Sequence, residues 1–444
     1  MNTFTFLKTK IEHLKGRKLR PEDVRAKNLQ KFRKLVAFIN ERSPFYKTII
    51  AKHCIDPYRC FPDDFPVMTK RDVSENFDEI VTDRRITLEA ISDFIESSKD
   101  PLDLFRNQYY ALHGSGTSGE IGFFVYSKND FARGMAHGMG LVSFSLQRKR
   151  KRIAFLGATD GHFAGVTMVS ISMRRMAKLI FKTKTFEINR PIHHIVEQMN
   201  AFKPDIIIGY ATAIKILAEK QVEGMLNVRP SVIESCGESL GPTDKEFIEN
   251  TFDCKLLNVY ASTEFLYMGI SKPEYGGMYL LENDLIFELH SDHSCVTSLF
   301  NYTMPLIRYR IEDILIPVPD HDRTLPFTKI KDVIGRREYT MFFTNKYGSD
   351  DFISPLAIDQ FFIKDLQRFQ IQLIDKQSFL FKAQINTSIN EFQKNEILQE
   401  IKSRIDSLLS AKDMENVSFE IEESEDMAVD PRTGKFPLVV RDNV

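Results

Sequence analysis

The sequence predicts an α/β protein with a smaller α+β part at its C-terminal end. Between residues 121 and 259, short β-type runs alternate with helical patterns, the signature of a largely parallel sheet flanked by helices. Helix-start signals recur between those runs. Beyond about residue 336, strands and helices alternate again over a stretch the size of a small domain. A chain of 444 residues leaves room for two or three domains. The boundary is expected at Ile334-Gly335-Arg336-Arg337, giving residues 1–335 and 336–444.

Leu29, Phe32, Val36 and Ile39 fall on one face of a first helix, which Ser43-Pro44 should end, because a residue before proline leaves the helical region. Thr69 to Asp72 reads as a capping box starting another helix. Residues 121–127 and 152–157 read as strands, 164–177 as a helix and 178–186 as extended. Pro191 opens a helix running to about Phe202. Then come a strand from Asp205 to Ile208, a helix at 212–223, a strand at 231–235, a second capping box at Thr243–Glu246, and a strand from Lys255 to Val259. Residues 278–289 and 295–316 read as further strands. The C-terminal part reads as a helix at 355–366, strands at 369–385, a helix at 390–410 and a strand at 417–421.

Composition excludes several classes. Apolar residues make up 43 % and charged residues 27 %, which is ordinary for a globular chain. Lys plus Arg number 60 against 61 acidic residues, so no general nucleic-acid partner is expected. The 5 cysteines include no C-x-x-C pair, against a disulfide framework or zinc ribbon. The stretch Met1–Arg20 mixes basic and apolar residues and does not read as a secretory signal. No run approaches the ~18 apolar residues that span a bilayer. A cytoplasmic, reducing setting is expected.

Five motifs carry chemistry. His113-Gly-Ser115-Gly116-Thr117-Ser118-Gly119 packs glycines and hydroxyls into one loop, suited either to cradling phosphates or to a flexible hairpin. It lacks the Gly-Lys-Ser/Thr of a Walker loop. Tyr260-Ala261-Ser262-Thr263-Glu264 follows a strand, where open sheets bind ligands; Ser262 or Thr263 would equally cap a helix. Gly237-Glu238 follows another strand. Arg308-Tyr-Arg310-Ile-Glu-Asp313 offers a carboxylate to a ribose diol, with arginines for phosphate or for Glu312 and Asp313. Asp430-Pro-Arg-Thr-Gly434-Lys435 puts a lysine on a glycine turn, where solvation is the usual fate.

In order and spacing this set resembles the adenylate-forming superfamily of acyl-CoA synthetases and adenylation domains. Within it the resemblance is to the phenylacetate–CoA ligase family and its capsule-biosynthesis and deazaflavin-cofactor-adenylating relatives. Ser43-Pro-Phe-Tyr46 and Phe65-Pro-Val-Met-Thr-Lys70 look like that family's N-terminal entry. The resemblance covers nearly the whole chain. It implies a large N-terminal domain with mixed sheets and flanking helices, plus a small mobile α+β domain carrying a catalytic lysine.

By the same resemblance, Ser115, Gly116, Thr117, Ser118 and Gly119 would hold the β- and γ-phosphates of ATP. Gly237, Glu238, Tyr260, Ala261 and Ser262 would border the nucleotide, Tyr260 stacking on adenine. Thr263 would contact phosphate and Glu264 would bind Mg²⁺. Asp313 would take the ribose hydroxyls and Arg336 would reach the nucleotide. Glu338 falls near the hinge, and Lys435 matches the lysine that bridges carboxylate and phosphate. His162, Phe163, Tyr210 and Ala211 would border the acid, His162 either orienting the carboxylate or serving a structural role. No fixed charge for an amino group is evident, so a neutral aromatic or hydrophobic acid is expected.

The acceptor implied is a pantetheine thiol, of coenzyme A or of an acyl carrier protein. The alternatives are AMP transfer to a hydroxyl or phenol, and an inactive nucleotide-binding relative. A homodimer is an open arrangement. The basic run Arg148–Arg152 would steer an acidic acceptor or simply be a solvated helix end. The path from Arg337 to Gly348 looks longer than the family's. His290, His293 and Cys295 read as turn residues rather than a metal site.

Overall fold

The computed structural model of the protein describes residues 1–114, 122–139, 150–159, 161–173, 177–238, 240–290, 293–311, 313–321, 323–334, 341–353, 363, 365–387, 389–424, 427 and 438–441. Helices come first. After α1 (Thr3–Gly16), α2 (Pro21–Arg42) buries Phe32, Leu35, Val36 and Ile39 along one stripe. Ser43 ends α2 in extended conformation and at once caps α3 (Pro44–Lys52), its side chain accepting from the Tyr46 N–H at 3.4 Å. In the box that starts α4 (Lys70–Glu75), Thr69 Oγ1 accepts from the Asp72 N–H at 3.2 Å and Asp72 Oδ2 accepts from the Thr69 N–H at 2.8 Å. Then come α5 (Phe77–Ile80) and α6 (Leu88–Ser97), the antiparallel hairpin of β1 (Tyr109–His113) and β2 (Phe123–Ser127), and α7 (Lys128–Met139).

The main sheet begins with five parallel strands: β3 (Lys151–Gly157), β4 (Phe181–Glu187), β5 (Ile206–Tyr210), β6 (Val232–Cys236) and β7 (Lys255–Ser262). They alternate with α8 (Ala164–Ser170), α9 (Ala177–Ile180), α10 (Ile192–Phe202), α11 (Ala211–Val222) and α12 (Pro242–Phe252). Ile207, Ile233 and Leu256 on one face of the sheet pack against Ile195, Met199, Ile214, Leu217 and Ile248 of the helices. Next come β8 (Leu266–Lys272), β9 (Gly277–Leu280), a separate three-stranded sheet of β10 (Leu285–Leu289), β11 (Ser294–Ser298) and β12 (Tyr309–Ile311), then β13 (Ile314–Pro317) and β14 (Lys329–Ile334). Among the described residues the main sheet has the order β13-β14-β9-β8-β7-β6-β5-β3-β4.

Several expectations need correction. The sheet is parallel over one half only; β8, β9, β14 and β13 pair antiparallel. The reason lies at β7, which continues through Tyr260 to Ser262 and turns straight back into β8. A tight turn can only return an antiparallel strand, since a parallel one needs a crossover. Ser262 therefore caps no helix; its Oγ accepts from the Phe265 N–H at 3.2 Å within the turn. Thr243 caps no helix either, because α12 already starts at Pro242, behind Gly241. Residues 177–180 are helical, and β4 begins only at Phe181. The long path to Gly348 contains β15 (Met341–Thr344), paired in a hairpin with β16 (Asp350–Ile353). Most of the stretch expected as a helix at 355–366 lies outside the described residues.

A four-stranded sheet follows, of β17 (Leu366–Leu373), β18 (Ser378–Ile385), β19 (Ser418–Glu423) and β20 (Val439–Arg441), in the order β19-β18-β17-β20. Onto it α13 (Glu391–Ala411) lays Ile397, Ile401, Ile405, Leu408 and Leu409. This core draws its buried residues only from Met341 to Val439.

Two buried charge clusters join distant parts of the chain. Lys412, after α13, contacts Asp351 Oδ1 at 3.2 Å and donates to the carbonyls of Arg190 at 3.1 Å and Ile188 at 3.3 Å. Asp351 Oδ2 accepts from the Ile192 N–H at 3.1 Å. Burial pulls the Lys412 ammonium below the usual lysine range, against the opposing effect of Asp351. At the other end of the chain, Asp284 meets His13 at 2.6 Å, His137 at 3.3 Å and Lys31 at 2.5 Å. Burial pushes the Asp284 carboxyl up, but these partners outweigh it and hold it well below the carboxylate range. Burial likewise lowers His137 to about 4, so this ring stays neutral.

Candidate active site

The tertiary structure brings two of the sequence motifs into direct contact. Tyr260 donates its hydroxyl to Asp313 Oδ2 at 2.7 Å, across 53 residues of sequence. The register of β7 against β8 shifts between Tyr260 and Ala261, a bulge of the kind that re-aims side chains at strand ends. Just beyond it, the Tyr309 hydroxyl reaches Glu264 Oε1 at 3.5 Å, and Tyr126 donates to the Thr263 carbonyl at 2.6 Å. The half-buried Tyr260, Thr263, Glu264 and Asp313 thus line one rim of the sheet.

The glycine-rich loop leaves from the same rim. Its residues 115–121 lie outside the described set, but its neck is defined. The Gly114 N–H donates to the Gly122 carbonyl at 2.7 Å, and a Cβ placed on Gly114 would lie 3.9 Å from the Thr263 Cβ. A Cβ on Gly122 would lie 3.3 Å from Lys70 Cε. Lys70 therefore lies at the neck of the loop. Sequence reasoning gave it no site role; its signal was its place at the end of Phe65-Pro-Val-Met-Thr-Lys70.

The N-terminal entry motifs brace the Arg-Tyr-Arg segment. The Tyr46 hydroxyl donates to the Pro305 carbonyl at 3.0 Å and accepts from the Ile307 N–H at 3.2 Å. The Arg310 N–H donates to the Met68 carbonyl at 2.8 Å. Arg308 binds Glu288 at 2.8 Å and the Phe65 carbonyl at 2.7 Å, rather than reaching forward to a ligand.

Behind the rim, Gly237 has a φ of 79°, which favours glycine, and lets Glu238 turn back to accept from the Thr212 N–H of α11 at 2.8 Å. Phe163, Tyr210 and Ala211 are buried in one core with Ala158, whose N–H donates to the Tyr210 hydroxyl at 3.3 Å. His162 is buried as well. Its Nε2 pairs with Ser98 Oγ at 3.0 Å and its ring lies 5.0 Å from Phe94, so both contacts tie it to the α6 side.

Glu234 of β6 was not foreseen. It is buried, and burial alone pushes its carboxyl from 4.5 up to about 7, with no charge opposing the shift. The folded state then holds a proton that the unfolded chain has released, so stability should fall as pH rises from 4.5 through about 7. Glu234→Gln should remove that slope and be more stable than the parent at pH ~8, by on the order of 3 kcal/mol. Denaturant midpoints of both proteins, compared at acid and alkaline pH, check this.

The fold has known counterparts. It matches 2-hydroxyisobutyryl-CoA ligase bound to 2-HIB-AMP and CoA in the thioesterification state, with a TM-score of 0.59 and 16 % identity, covering 96 % of this chain and 91 % of that one. The same ligase in its postadenylation state with R3-HIB-AMP gives a TM-score of 0.53 at 16 % identity, covering 94 % of this chain and 89 % of that one. The chain shares the fold of that ligase. In sequence it is 23 % identical over 338 residues to Protein CapK of Staphylococcus aureus; the match spans 69 % of this chain and 66 % of CapK, just under two thirds of that protein. No family model matches the chain.

Other candidate positions, namely Ser115 to Gly119, Arg336, Glu338 and Lys435, lie outside the described residues. So do Arg148 and Lys149 of the basic run. Its remainder opens β3 rather than ending a helix: Arg150 donates to the Lys178 and Phe181 carbonyls, and Arg152 pairs with Asp205 at 3.3 Å. His290 and His293 stack at 4.6 Å beside buried Cys295. All five cysteines are free thiols. Among the described residues, no helix is long and apolar enough to cross a membrane.

Proposed function

We propose that this protein activates a small carboxylic acid with ATP and passes the acyl group to a pantetheine thiol, of coenzyme A or a carrier protein. The observation that carries this reading is the Tyr260–Asp313 bond at 2.7 Å, on a rim shared with Thr263, Glu264 and the neck of the glycine loop. One end of that rim suits an adenosine, with Tyr260 against the base and Asp313 toward the ribose. The other, at the neck of the loop beside Lys70, suits a triphosphate, which Ser115 to Gly119 would hold. The oxygen donors of Thr263 and Glu264 fit a hard cation, and Glu264 would hold Mg²⁺. Bound there, Mg²⁺ would offset phosphate charge.

In the first step a carboxylate oxygen attacks the α-phosphorus, a P–O bond forms, and pyrophosphate leaves. In the second the thiol sulfur attacks the acyl carbon, its proton is lost, and AMP departs. Residues 1–335 would bind nucleotide and acid, and 336–444 would supply Lys435. Phe163, Tyr210 and Ala211 favour an aromatic or hydrophobic acid.

Carboxylate-dependent exchange of labelled pyrophosphate into ATP tests the reading, using a panel of aromatic and fatty acids. No exchange with any of them would remove it. Mass analysis of the product separates thioester from an AMP-modified hydroxyl. Asp313→Ala should raise the KM for ATP by about 10-fold or more, as expected when a charge-assisted hydrogen bond is lost. The KM for the acid should stay nearly constant, and steady-state kinetics with each substrate varied in turn check both.

A further inference from the structure

Helix α1 packs one face against the body and leaves an apolar face exposed on the opposite side. Phe6, Thr9, His13 and Gly16 are buried against the body. Phe4, Leu7, Ile11 and Leu14 are 77, 53, 54 and 43 % exposed. At ~100° per residue these four fall within an arc of about 80°, diametrically opposite the packed face. Single exposed apolar side chains are ordinary, but a continuous row of four large ones is not. Lys8 and Lys15 border the row on one side and Lys10 on the other, and Glu12 is the acidic residue of the helix.

Among the described residues, the bonds that hold the helix in place lie away from that row. The Asn2 side chain caps it, accepting from the Phe4 N–H at 3.1 Å and the Thr5 N–H at 3.2 Å. The Met1 ammonium donates to the Tyr110 hydroxyl at 2.6 Å, and His13 is pinned to Asp284 at 2.6 Å.

We propose that α1 docks the protein on an anionic membrane surface, the row Phe4-Leu7-Ile11-Leu14 entering the interface while Lys8, Lys10 and Lys15 meet lipid phosphates. Charge selects this occupant. Lysines on both margins would oppose the same margins of a second copy, whereas they complement anionic headgroups. The row is about 15 Å long, the footprint of a helix lying in the interface plane. This is surface association and needs no spanning segment. It does not depend on the proposed reaction.

The test is co-sedimentation of the full chain with vesicles of phosphatidylcholine alone and of phosphatidylcholine with phosphatidylglycerol. Binding is expected to the anionic vesicles and to weaken with salt. Lys8→Gln, Lys10→Gln and Lys15→Gln should each lower the partition coefficient about fivefold. Leu7→Asp combined with Ile11→Asp should lower it by ~10-fold or more, with the melting temperature unchanged because both sites are exposed. The chain has 0 tryptophans, so Leu14→Trp adds a single fluorophore whose blue shift on vesicle addition reports insertion. Absence of binding to anionic vesicles, or equal salt-insensitive binding to both kinds, would overturn the proposal. So would a dimer in light scattering that Leu7→Asp with Ile11→Asp dissolves while neither protein binds vesicles.

Discussion

Lys435→Ala is expected to slow carboxylate-dependent pyrophosphate exchange by on the order of 10²-fold or more. The reaction joins two anions, a carboxylate and a triphosphate, and the charge gathered between them in the transition state needs a cation aimed at it. In the proposed assignment Glu264 would hold Mg²⁺, which would offset charge on the leaving pyrophosphate, and Lys435 would supply the cation between the carboxylate and the α-phosphate. The melting temperature is expected not to move. Supplying a pre-made acyl-adenylate sharpens the test. Thioester formation from it should survive the substitution, because that half-reaction follows the departure of pyrophosphate. Equal loss of both half-reactions at unchanged stability would mean that Lys435 is not the adenylation lysine.

Lys412→Ala should destabilise the protein by roughly 3–5 kcal/mol, the usual cost of removing one partner from a buried ion pair. The Asp351 charge would remain buried, supported among the described residues by the N–H groups of Ile192 and Phe352, and the carbonyls of Ile188 and Arg190 would lose their donor. The loss falls on a seam, because Asp351 and Lys412 come from the C-terminal part while residues 188–192 flank the main sheet. Uncoupling is therefore expected to show as an early, separate unfolding step of the core between Met341 and Val439. Lys412→Met combined with Asp351→Leu should recover most of the stability, since matched apolar replacements leave no orphaned charge. Denaturation followed by two probes, one for each part, gives the answer. A cost below about 1 kcal/mol for Lys412→Ala would show that water reaches this pair.

Much of the site was readable in the sequence, because its motifs are local. Gly237 needs a left-handed φ, and Gly114 and Gly122 pair at the neck of the loop. Lys70 had no role in the sequence reading, and Arg308 was read toward phosphate or toward Glu312 and Asp313, for one common reason. A cation's role depends on which anion lies within reach, and Arg308 spends its charge on Glu288 of another strand, while Lys70 is carried to the loop neck by the pairing of Met68 with the Arg-Tyr-Arg segment. Glu234 sits in an apolar strand pattern that says nothing about whether its own face will be covered.

What the sequence by itself determined is a series of local elements: the stripe of α2, the Ser43-Pro44 break, the Thr69 box, and the strands β3, β5, β6 and the first half of β7. These follow from periods of 3.6 and 2 and from caps, which act over a few residues. Only the tertiary structure decided the direction of the strands after β7, the meeting of Tyr260 with Asp313, the burial of Glu234 and the exposure of one apolar face of α1. Each depends on which distant segment covers a face or pairs with an edge, and a periodic pattern marks a face as apolar without naming what will lie against it.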